Sequence, residues 1–400
     1  MLAPAAERAR WTDRGRRFRR IDELVMDTSN RIRWGVAIVL VFSLVAGFSF
    51  GQPRSSAFPA NDLERIETPE SVGFSSARLQ ALRSWVQSLD TTAMMVVVGG
   101  RSLFEYGDLS HLSYVGSVRK SILAMLYGKY VENGAIQLNK TLRELAFTDV
   151  GGLMEPELDA TIDHLLTARS GVYHPAANSG DATASAPPRG SQKAGTYFLY
   201  NNWDFNAAGA VFEKLTGRDV YDTLESDLAK PIGMQDFVRA RQKRGGDATR
   251  SQHLAFHMWL STRDMARIGL LMLRDGNWAG QQVVSRDWAH RIRNVVTPFH
   301  ELNPPQWRSL GSGNRWAYGY LWWVWDAPRS SGDFVGAYAA MGAGGQYITV
   351  LPELDLVVTH KTDTTQPLQH AQRQRSVSGS EYGVVLRLLI AARCPGAQCS

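Results

Sequence analysis

The segments of this sequence that favour β-strands lie near its two ends, and helical segments lie between them. Near the start, Thr91–Asp108 predicts two strands joined by a turn at the glycine pair Gly99-Gly100. Near the end, segments rich in aromatic and β-branched residues predict further strands, at 316–326, 334–351 and 354–362. Strands so far apart in the chain predict one sheet built from both ends, with a mainly helical insertion at roughly 128–310.

Two helices are predicted outside the insertion. The segment Ser75–Leu89 has apolar residues at helical spacing after a serine cap, and residues 381–394 form an apolar helix that closes the chain. By contrast, Ala176–Thr196 is rich in Ala, Ser, Gly and Pro and has no periodicity, which predicts a long loop. Four hundred residues, 44% of them apolar, are enough for a sizeable core.

The positive charge of the chain is concentrated at its start. Residues 1–33 contain nine arginines and five acidic residues, which accounts for four of the six formal positive charges. The remainder is close to neutral, and this argues against a nucleic-acid groove, which needs a basic patch on the folded domain.

An apolar segment follows this arginine-rich leader. Residues 34–51 are apolar or small and uncharged, which predicts a signal peptide or an uncleaved membrane anchor. Either would export the domain at 55–400, to the periplasm or the outer face of the inner membrane. Met26 is a possible true start, because the residues after it make an ordinary signal-peptide beginning.

The cysteine and histidine content predicts neither a metal site nor a cofactor. The only two cysteines, Cys394 and Cys399, follow the last apolar helix and could close a small loop in an exported protein. A zinc site would need more ligands than this segment contains. The sequence has no H-E-x-x-H motif and no phosphate-binding glycine loop.

Ser117 and Lys120 form an S-x-x-K motif at the start of a strongly apolar helix. On a helix, residues three apart lie on one face, with Cβ atoms about 5–6 Å from each other. A serine needs a base to become a nucleophile, and a lysine that is desolvated by burial can act as one. Lys120 is the only lysine of the chain with a serine three positions earlier. The alternative is a serine near a helix start and a solvated lysine.

Tyr200 and Asn202 form a second motif, Y-x-N, which no other tyrosine of the chain has. A phenol beside an ammonium group can act as a general base. An asparagine side chain can hydrogen-bond a substrate amide or hold the lysine. The alternative is a helix start capped by Asn201 or Asn202, with Tyr200 packed in the core.

A third element, Ala340–Glu353, contains Gly342, Gly344 and Gly345 before a β-branched strand. Glycine in a strand permits the close approach of another backbone. Such an edge could bind an extended substrate and donate an amide N–H to an oxyanion hole. The alternative is an ordinary glycine-rich turn or bulge.

In this order, the three elements resemble those of the serine β-lactamase and penicillin-recognising hydrolase family. The resemblance is to its class C-like branch of esterases, D-amino peptidases and 6-aminohexanoate-dimer hydrolases, and covers roughly Ile66 to Arg393. Four further segments are similar to the family, at 161–172, 230–237, 261–269 and 318–323. The resemblance implies a β-lactamase-like α/β (α+β) fold, in which helices flank a central antiparallel sheet.

The resemblance also implies roles for the first two motifs. Ser117 would be the acylated nucleophile, and Lys120 would accept its proton or keep Tyr200 ionised. Tyr200 would act as the base for acylation, relay a proton to the leaving group and activate the deacylating water. Asn202 would orient the substrate and Lys120. Lys120 and Tyr200 are best treated as one coupled pair.

The third element departs from the pattern of the family. The oxyanion hole would use the N–H of Ser117 and one from the glycine-rich strand, with Gln346 or Gly345 preferred. Many relatives carry Lys-Thr-Gly or His-x-Gly here, whereas this chain has Ala343, Gly344 and Gly345, without a cation. This absence favours ester or neutral-amide substrates. The expected partner as a class is a small-molecule ester, amide or peptide-like substrate. The alternatives are a β-lactamase or D-Ala-D-Ala carboxypeptidase, and a penicillin-binding or sensor-like domain that does not turn over.

Several other residues are candidates of lower rank. His164 is expected to be structural, whereas His257 lies in a segment that approaches the site in relatives. Tyr114 and the pair Trp322-Trp323 could line a pocket or pack in the core. Two carboxylates, Asp204 and Asp264, are expected to cap helices or form ion pairs.

Overall fold

The structure is a computed structural model that describes residues 58–59, 62–178, 180, 183–305, 315–326, 332–365, 367–368 and 371–394. The predicted leader, the possible start at Met26, the apolar segment at 34–51 and Cys399 lie outside these ranges. All of the described residues belong to one compact unit. Among the helices of the described ranges, none has the length and apolar character needed to cross a membrane.

Short and long strands both occur in the fold. In chain order the strands are β1 (Ala93–Val98), β2 (Arg101–Gly107), β3 (Ser113–Tyr114), β4 (Lys243–Gly245), β5 (Ala255–His257), β6 (Trp259–Leu260), β7 (Asn277–Trp278), β8 (Gln281–Gln282), β9 (Trp316–Tyr318), β10 (Trp323–Trp325), β11 (Tyr338–Gly342), β12 (Gln346–Leu351), β13 (Leu356–Lys361), β14 (Pro367–Leu368) and β15 (Ala371–Gln374).

The central sheet takes strands from both ends of the chain, as the sequence predicts. Its seven strands have the order β2-β1-β13-β12-β11-β10-β9, and every neighbouring pair is antiparallel. In the junction between the early and late strands, Ala93 pairs with Lys361 and Val98 with Leu356. The predicted fold class is therefore confirmed.

The helices flank this sheet and fill much of the region between its two sets of strands. They are α1 (Ser76–Gln87), α2 (Val118–Glu132), α3 (Ile162–Leu166), α4 (Asn202–Thr216), α5 (Val220–Thr223), α6 (Thr262–Leu273), α7 (Arg286–Ile292) and α8 (Gly379–Ala391). A π-helical turn, Leu224–Ala229, continues α5. The described residues of 176–196 contain no α-helix and no strand, which agrees with the predicted loop.

Two helices cover opposite faces of the sheet. Ile348 and Thr349 are consecutive in β12, so their side chains point to opposite faces. Gly269 of α6 packs on Ile348, since a Cβ at Gly269 would lie 3.0 Å from the Ile348 Cγ2. Tyr382 of α8 shares a 2.8 Å hydrogen bond with the Thr349 hydroxyl. Helix α6 therefore covers one face and α8 the other, where α1 packs against α8.

Helix α2 is buried over most of its length. It contacts α4, α7 and strands β11 and β12, and all of its residues from Val118 to Gly128 are buried. From Ile122 to Gly128 its sequence is apolar all round, which is typical of a helix segment buried on all sides. The fold thus places the start of α2 beside the end of β11.

Candidate active site

Ser117 lies at the start of α2, immediately after a tight turn. Gly116 has a positive φ of 55°, a conformation that glycine adopts without strain. Ser117 is the N-cap residue, and the hydrogen bonds from Val118 N to Val115 O and from Lys120 N to Ser117 O close the first turn. The Ser117 side chain is partly exposed at the end of an otherwise buried helix.

Lys120 lies one turn further along α2 and is 1% exposed. Its ammonium Nζ donates a 3.0 Å hydrogen bond to the Tyr200 hydroxyl. The same Nζ lies 4.1 Å from the centre of the Tyr200 ring and 4.2 Å from that of Phe205. Aromatic faces stabilise a cation by their negative π-surface. Lys120 is therefore no solvated surface lysine, and the structure brings it together with Tyr200.

Tyr200 precedes α4, and three aromatic rings hold it in place. Its ring stacks on Trp323 at 5.7 Å, meets Tyr318 edge-on at 5.8 Å and packs on Phe205 at 4.7 Å. Asn201 is the cap of α4, because its Oδ1 accepts a 3.1 Å hydrogen bond from Trp203 N. The alternative interpretation of this motif is correct for the local structure: Asn201 caps the helix, and Tyr200 packs on the core. The Tyr200 hydroxyl also reaches Lys120.

Asn202 is the first residue of α4 and is buried. The loop that precedes Tyr200 passes close to it, since a Cβ at Gly180 would lie 3.8 Å from the Asn202 Nδ2. The Asn202 side chain thus lies beside this loop; its predicted role in orienting the substrate and Lys120 stays a prediction.

The third element is a hairpin turn rather than a continuous strand. Strand β11 ends at Gly342, β12 begins at Gln346, and Ala343, Gly344 and Gly345 connect them. Gly344 and Gly345 have positive φ angles of 80° and 105°, which explains the glycines. The alternative interpretation, a glycine-rich turn, is therefore correct for the local structure.

The first half of this turn packs against the backbone of Ser117. A Cβ at Gly342 would lie 2.4 Å from the Val115 carbonyl oxygen and 3.0 Å from the Ser117 amide nitrogen. The Ala343 amide nitrogen would lie 3.2 Å from a Cβ at Gly116. In the part of the chain that the structure describes, neither the Ser117 nor the Ala343 amide donates a turn or loop hydrogen bond. These two N–H groups are the candidate oxyanion donors.

The second half of the turn faces β13 instead. The Gln346 Nε2 donates a 2.6 Å hydrogen bond to Thr362 O, and the Gly345 carbonyl oxygen lies 2.8 Å from the His360 Nδ1. A Cβ at Gly344 would lie 2.3 Å from the Thr364 Cγ2. Gly342 and Ala343 contact residues 115–117, so the Ala343 amide is a further candidate for the second oxyanion donor, beside Gly345 and Gln346.

Arg119 is a buried cation beside the candidate site that the sequence analysis did not single out. Its Nη2 donates a 3.1 Å hydrogen bond to the Asn206 Oδ1, and its guanidinium lies 4.3 Å above the Phe256 ring. The Asn206 Nδ2 in turn donates to the Asn178 Oδ1 at 2.8 Å. Arg119 thereby joins α2 to α4 and to the loop before Tyr200. An arginine inside an apolar helix pattern is the sequence signal that could have indicated it.

His257 contacts Tyr114, three residues before Ser117. The Tyr114 hydroxyl lies 2.8 Å from the His257 Nδ1. Burial, reinforced by the Arg119 and Lys243 cations, lowers the pKa of His257 to about 4. His257 is therefore neutral at neutral pH, and it contacts a residue three positions before Ser117.

The remaining candidates have structural contacts. The His164 Nδ1 accepts a hydrogen bond from Thr161 N in a capping box at the start of α3. Asp264 accepts backbone hydrogen bonds from Gln235 and Asp236, and Trp322 is a buried core residue whose Nε1 donates to Ser121 O.

The carboxylate Asp204 is also structural. It is fully buried and accepts a 2.6 Å hydrogen bond from the Ser170 hydroxyl. Burial raises the pKa of Asp204 well above its usual range.

A cavity of about 540 Å³ lies beside β1 and β13, and its lining includes His111, Lys361 and Asp363. Ser117, Lys120 and Tyr200 do not line it. Lys361 donates to the carbonyl oxygens of Ser113 and Leu260, so it does not supply a cation to the hairpin turn.

Within the described ranges, no group of three or more His, Cys, Asp or Glu side chains is placed to hold a metal ion.

The arrangement can carry out acyl transfer. A serine hydroxyl lies one helical turn from a buried lysine, and the lysine bonds a phenol that could take up and return a proton. Two amide N–H groups on adjacent segments could stabilise the negative charge of a tetrahedral intermediate.

The sequence matches the family model described as Beta-lactamase over residues 82–378. This range includes Ser117, Lys120, Tyr200 and the hairpin turn, and it covers most of the chain. No curated protein matches the chain in sequence.

Solved structures with the same fold come from several kinds of hydrolase. One, from Bacillus anthracis and provisionally described as a 6-aminohexanoate-dimer hydrolase, is 20% identical with a TM-score of 0.57 over 84% of this chain and 87% of its own. A family VIII carboxylesterase is 13% identical, with a TM-score of 0.55 and coverage of 80% and 99%. EstCE1, a hydrolase with promiscuous acyltransferase activity, is 14% identical, with a TM-score of 0.56 and coverage of 81% and 98%.

The similarity to these solved structures shows the fold, whereas the match to the family model is a match in sequence. Both confirm the resemblance that the three motifs indicate. The chain therefore belongs to the Beta-lactamase family of serine hydrolases.

Proposed function

We propose that the protein is an exported serine hydrolase that cleaves a small ester or amide through an acyl-enzyme on Ser117. One observation carries the proposal: the 3.0 Å hydrogen bond between the buried Lys120 Nζ and the Tyr200 hydroxyl, one helical turn from Ser117. Burial of an ammonium group costs free energy of folding unless other groups compensate for it. A lysine buried beside a phenol and two aromatic faces therefore needs a functional reason. Proton transfer from Ser117 supplies one.

In the first half of the proposed reaction, the Lys120–Tyr200 pair accepts the Ser117 hydroxyl proton. The Ser117 Oγ attacks the substrate carbonyl carbon, and the amides of Ser117 and Ala343 stabilise the oxyanion. The intermediate collapses with loss of an alcohol or amine, which takes the proton back from the pair. Water then attacks the ester on Ser117, the pair accepts a proton from that water, and the released Ser117 Oγ is reprotonated as the acid leaves.

The charge of the turn favours an uncharged acyl group. Ala343, Gly344 and Gly345 offer no cation for a substrate carboxylate, and the nearby Lys361 is engaged by two carbonyl oxygens. A β-lactam or a D-Ala-D-Ala peptide carries such a carboxylate, so an ester or neutral amide is the better match. A β-lactamase, a D-Ala-D-Ala carboxypeptidase and a penicillin sensor that does not turn over are the alternatives.

The test compares the purified protein with Ser117→Ala on a short-chain p-nitrophenyl ester and a chromogenic cephalosporin. We expect ester hydrolysis that falls by about 10³-fold or more in the variant, because the nucleophile is lost. Faster hydrolysis of the cephalosporin than of the ester would favour the β-lactamase alternative. An acyl-enzyme that persists for hours, detected by intact mass, would favour the sensor. Activity that Ser117→Ala does not reduce would contradict the proposal.

The proposal of export rests on the sequence at 1–51. Fractionation of cells that express the full chain, followed by N-terminal sequencing, is the direct test. We expect the protein outside the cytoplasm, either cut near residue 51 or intact in the membrane fraction. An intact chain in the cytoplasmic fraction would contradict export and leave the proposed chemistry unaffected.

A further inference from the structure

His360 is a fully buried histidine of β13 that the proposed reaction does not use. It pairs with Tyr347 of β12, so its side chain lies on the face of the sheet that α8 covers. The rings of Tyr347 and Tyr382 stack at 3.9 Å, and the centre of the His360 ring lies 5.9 Å and 5.5 Å from theirs. His360 is 0% exposed, and no water reaches it to replace a lost hydrogen bond.

Two hydrogen bonds define the proton positions of this imidazole. Its Nδ1 lies 2.8 Å from the Gly345 carbonyl oxygen, which can only accept, so we assign the proton to Nδ1. Its Nε2 lies 2.8 Å from the Thr91 hydroxyl and therefore accepts the hydroxyl proton. Burial lowers the pKa of His360 to about 4, which agrees with a neutral ring. Thr91, His360 and Gly345 thus form one directed chain of hydrogen bonds.

The far end of this chain is the hairpin turn of the candidate active site. The turn is fixed from two sides: the Gly345 oxygen accepts from His360, and the Gly344 oxygen accepts a 3.1 Å hydrogen bond from Val377 N. A Cβ at Gly345 would lie 2.8 Å from the Thr362 Oγ1. Ala343, at the other end of the same three-residue turn, packs against the turn before Ser117.

We propose that His360 is a positioning residue that holds the 343–345 turn against the start of α2, so that the Ala343 and Ser117 amides converge on one oxyanion. This inference rests on the proposed function, since it assigns a role within that oxyanion hole. Because the peptide bond is planar, a fixed Gly345 oxygen fixes the whole plane of the Gly345–Gln346 peptide. The conformation of the turn then depends on the imidazole.

Loss of the imidazole N–H would affect the turn more than the sheet. The Gly345 oxygen would stay buried without its donor, which is unfavourable. Gly344 and Gly345 have the widest conformational freedom of any residue type, so the peptide can rotate to find another donor. Strands β11, β12 and β13 would keep their ladder, whereas Ala343 would move relative to Ser117. A misplaced oxyanion donor reduces stabilisation of the transition state and leaves the binding of the ground state nearly unchanged.

The decisive comparison is between His360→Phe, which keeps a ring but has no donor, and His360→Asn, whose Nδ2 can donate in place of Nδ1. We expect kcat to fall by about 10²-fold in His360→Phe with KM within about threefold of the wild-type value. The affinity for a boronic acid that forms a tetrahedral adduct with Ser117 should fall by a similar factor. His360→Asn should recover most of both losses.

Tyr382→Phe is the matched control. It removes the hydrogen bond to Thr349 in the same buried cluster and leaves both hydrogen bonds of His360 in place. We expect a lower melting temperature, with kcat and boronic acid affinity close to wild type. If His360→Phe lowers the melting temperature but changes kcat by less than about twofold, or if Tyr382→Phe reduces kcat as strongly, His360 has only a structural role.

Thr91→Val is a second variant that keeps the test decisive if His360→Phe does not fold. It removes the hydroxyl donor to Nε2, and a smaller loss of kcat with unchanged KM is expected. An unchanged kcat in Thr91→Val, when His360→Phe cannot be measured, would overturn the inference.

Ser117→Ala in the same assay separates the two proposals: activity that depends on Ser117 but not on His360 contradicts only the positioning role. Activity independent of Ser117 contradicts the proposed function itself.

Discussion

The Lys120 Nζ lies 3.0 Å from the Tyr200 hydroxyl, although 80 residues separate the two in the chain. Both side chains are buried, and the aromatic rings of Phe205, Tyr318 and Trp323 surround the phenol. In such a water-poor environment a proton that leaves Ser117 has few other acceptors. The pair is therefore expected to act as one base.

Removing either member of this pair should remove most of the activity. We expect Tyr200→Phe and Lys120→Met each to lower kcat by about 10²–10⁴-fold, the usual contribution of a general base. The double variant should be little worse than the more damaging single variant, because the two groups act as a unit. Steady-state kinetics on the ester measure all three.

The control for Tyr200→Phe is Tyr127→Phe. Tyr127 is a buried tyrosine of α2 whose hydroxyl donates a 2.6 Å hydrogen bond to Ala208 O, so this variant loses a buried hydroxyl outside the reacting groups. Equal losses of kcat in both variants, or strictly additive effects in the double variant, would contradict the coupled base.

Gly342→Ala should disable the site by pushing the hairpin turn away from Ser117. The new Cβ would lie 2.4 Å from the Val115 carbonyl oxygen and 3.0 Å from the Ser117 amide, both backbone atoms that cannot turn aside. We expect a loss of kcat of about 10²-fold, as for a lost oxyanion donor. Gly379→Ala in α8 is the matched control, because nothing lies within 4 Å of its Cβ position and its φ is ordinary. Wild-type kcat in Gly342→Ala would show that this contact does not position the turn.

Asp149→Asn should destabilise the protein at the start of α4. One carboxylate oxygen accepts from the Trp203 Nε1 at 2.7 Å and the Ser251 hydroxyl, and the other accepts from the amides of Val150 and Gln252. An asparagine at this position would place its NH₂ group, itself a donor, against two of these four donors. We expect a loss of about 2–3 kcal/mol in the free energy of unfolding, measured with urea.

The control for this change is Asp247→Asn, an exposed loop carboxylate that accepts from Thr249. It should change the free energy of unfolding by less than about 0.5 kcal/mol. Equal effects at the two positions would mean that the buried network around Asp149 does not stabilise α4.

Lys361 should make the stability of the protein rise with pH above neutrality. Burial lowers its pKa from 10.5 to about 7, against the opposing charges of Asp363 and Asp264. Between these two values the unfolded chain holds a proton that the folded chain has lost, so the free energy of unfolding increases with pH. Below pH 7 both states are protonated, and the folded state bears the full cost of the buried ammonium.

The measurement is urea unfolding between about pH 6 and pH 10 for the wild type, Lys361→Met and the exposed control Lys129→Met. The difference between wild type and Lys361→Met should change by up to about 1.4 kcal/mol per pH unit in this window. Lys129→Met should have the wild-type slope. A pH-independent difference for Lys361→Met would mean that Lys361 stays charged in the folded protein.

The central sheet can be predicted from the sequence, because local residue patterns indicate its strands. The positions of these strands near the two ends of the chain leave few ways to pair them. The motifs at Ser117, Lys120 and Tyr200 also stand out from residue type and spacing, and the structure joins Lys120 to Tyr200 by a hydrogen bond. Their catalytic roles stay predictions. The third element was predicted less well. Alternation of residue types does not distinguish a glycine-rich strand from a hairpin turn, and the structure shows a turn from Ala343 to Gly345.

Contacts between distant residues could not be predicted from the sequence. His360 reads as an ordinary strand residue, and only the pairing of β12 with β13 brings it to Gly345. Arg119 stands out as an arginine in an apolar helix pattern, but only the packing of α2 against α4 brings it to Asn206. Likewise, residue patterns alone do not show that Gly342 and Ala343 pack against the backbone of residues 115–117.

The antiparallel junction of β1 with β13 has a consequence for how the chain is made. The Thr359 hydroxyl donates to the Met95 oxygen across 264 residues, so a nascent chain exposes one edge of β1 until nearly all of it has been synthesised. An unpaired edge invites aggregation, and long-range pairing is slow. The contact of Gly342 with Ser117 also forms only at this late stage. The surroundings of the proposed nucleophile are thus completed late, and hydrolysis through Ser117 would report the folding of the whole domain rather than of its first half.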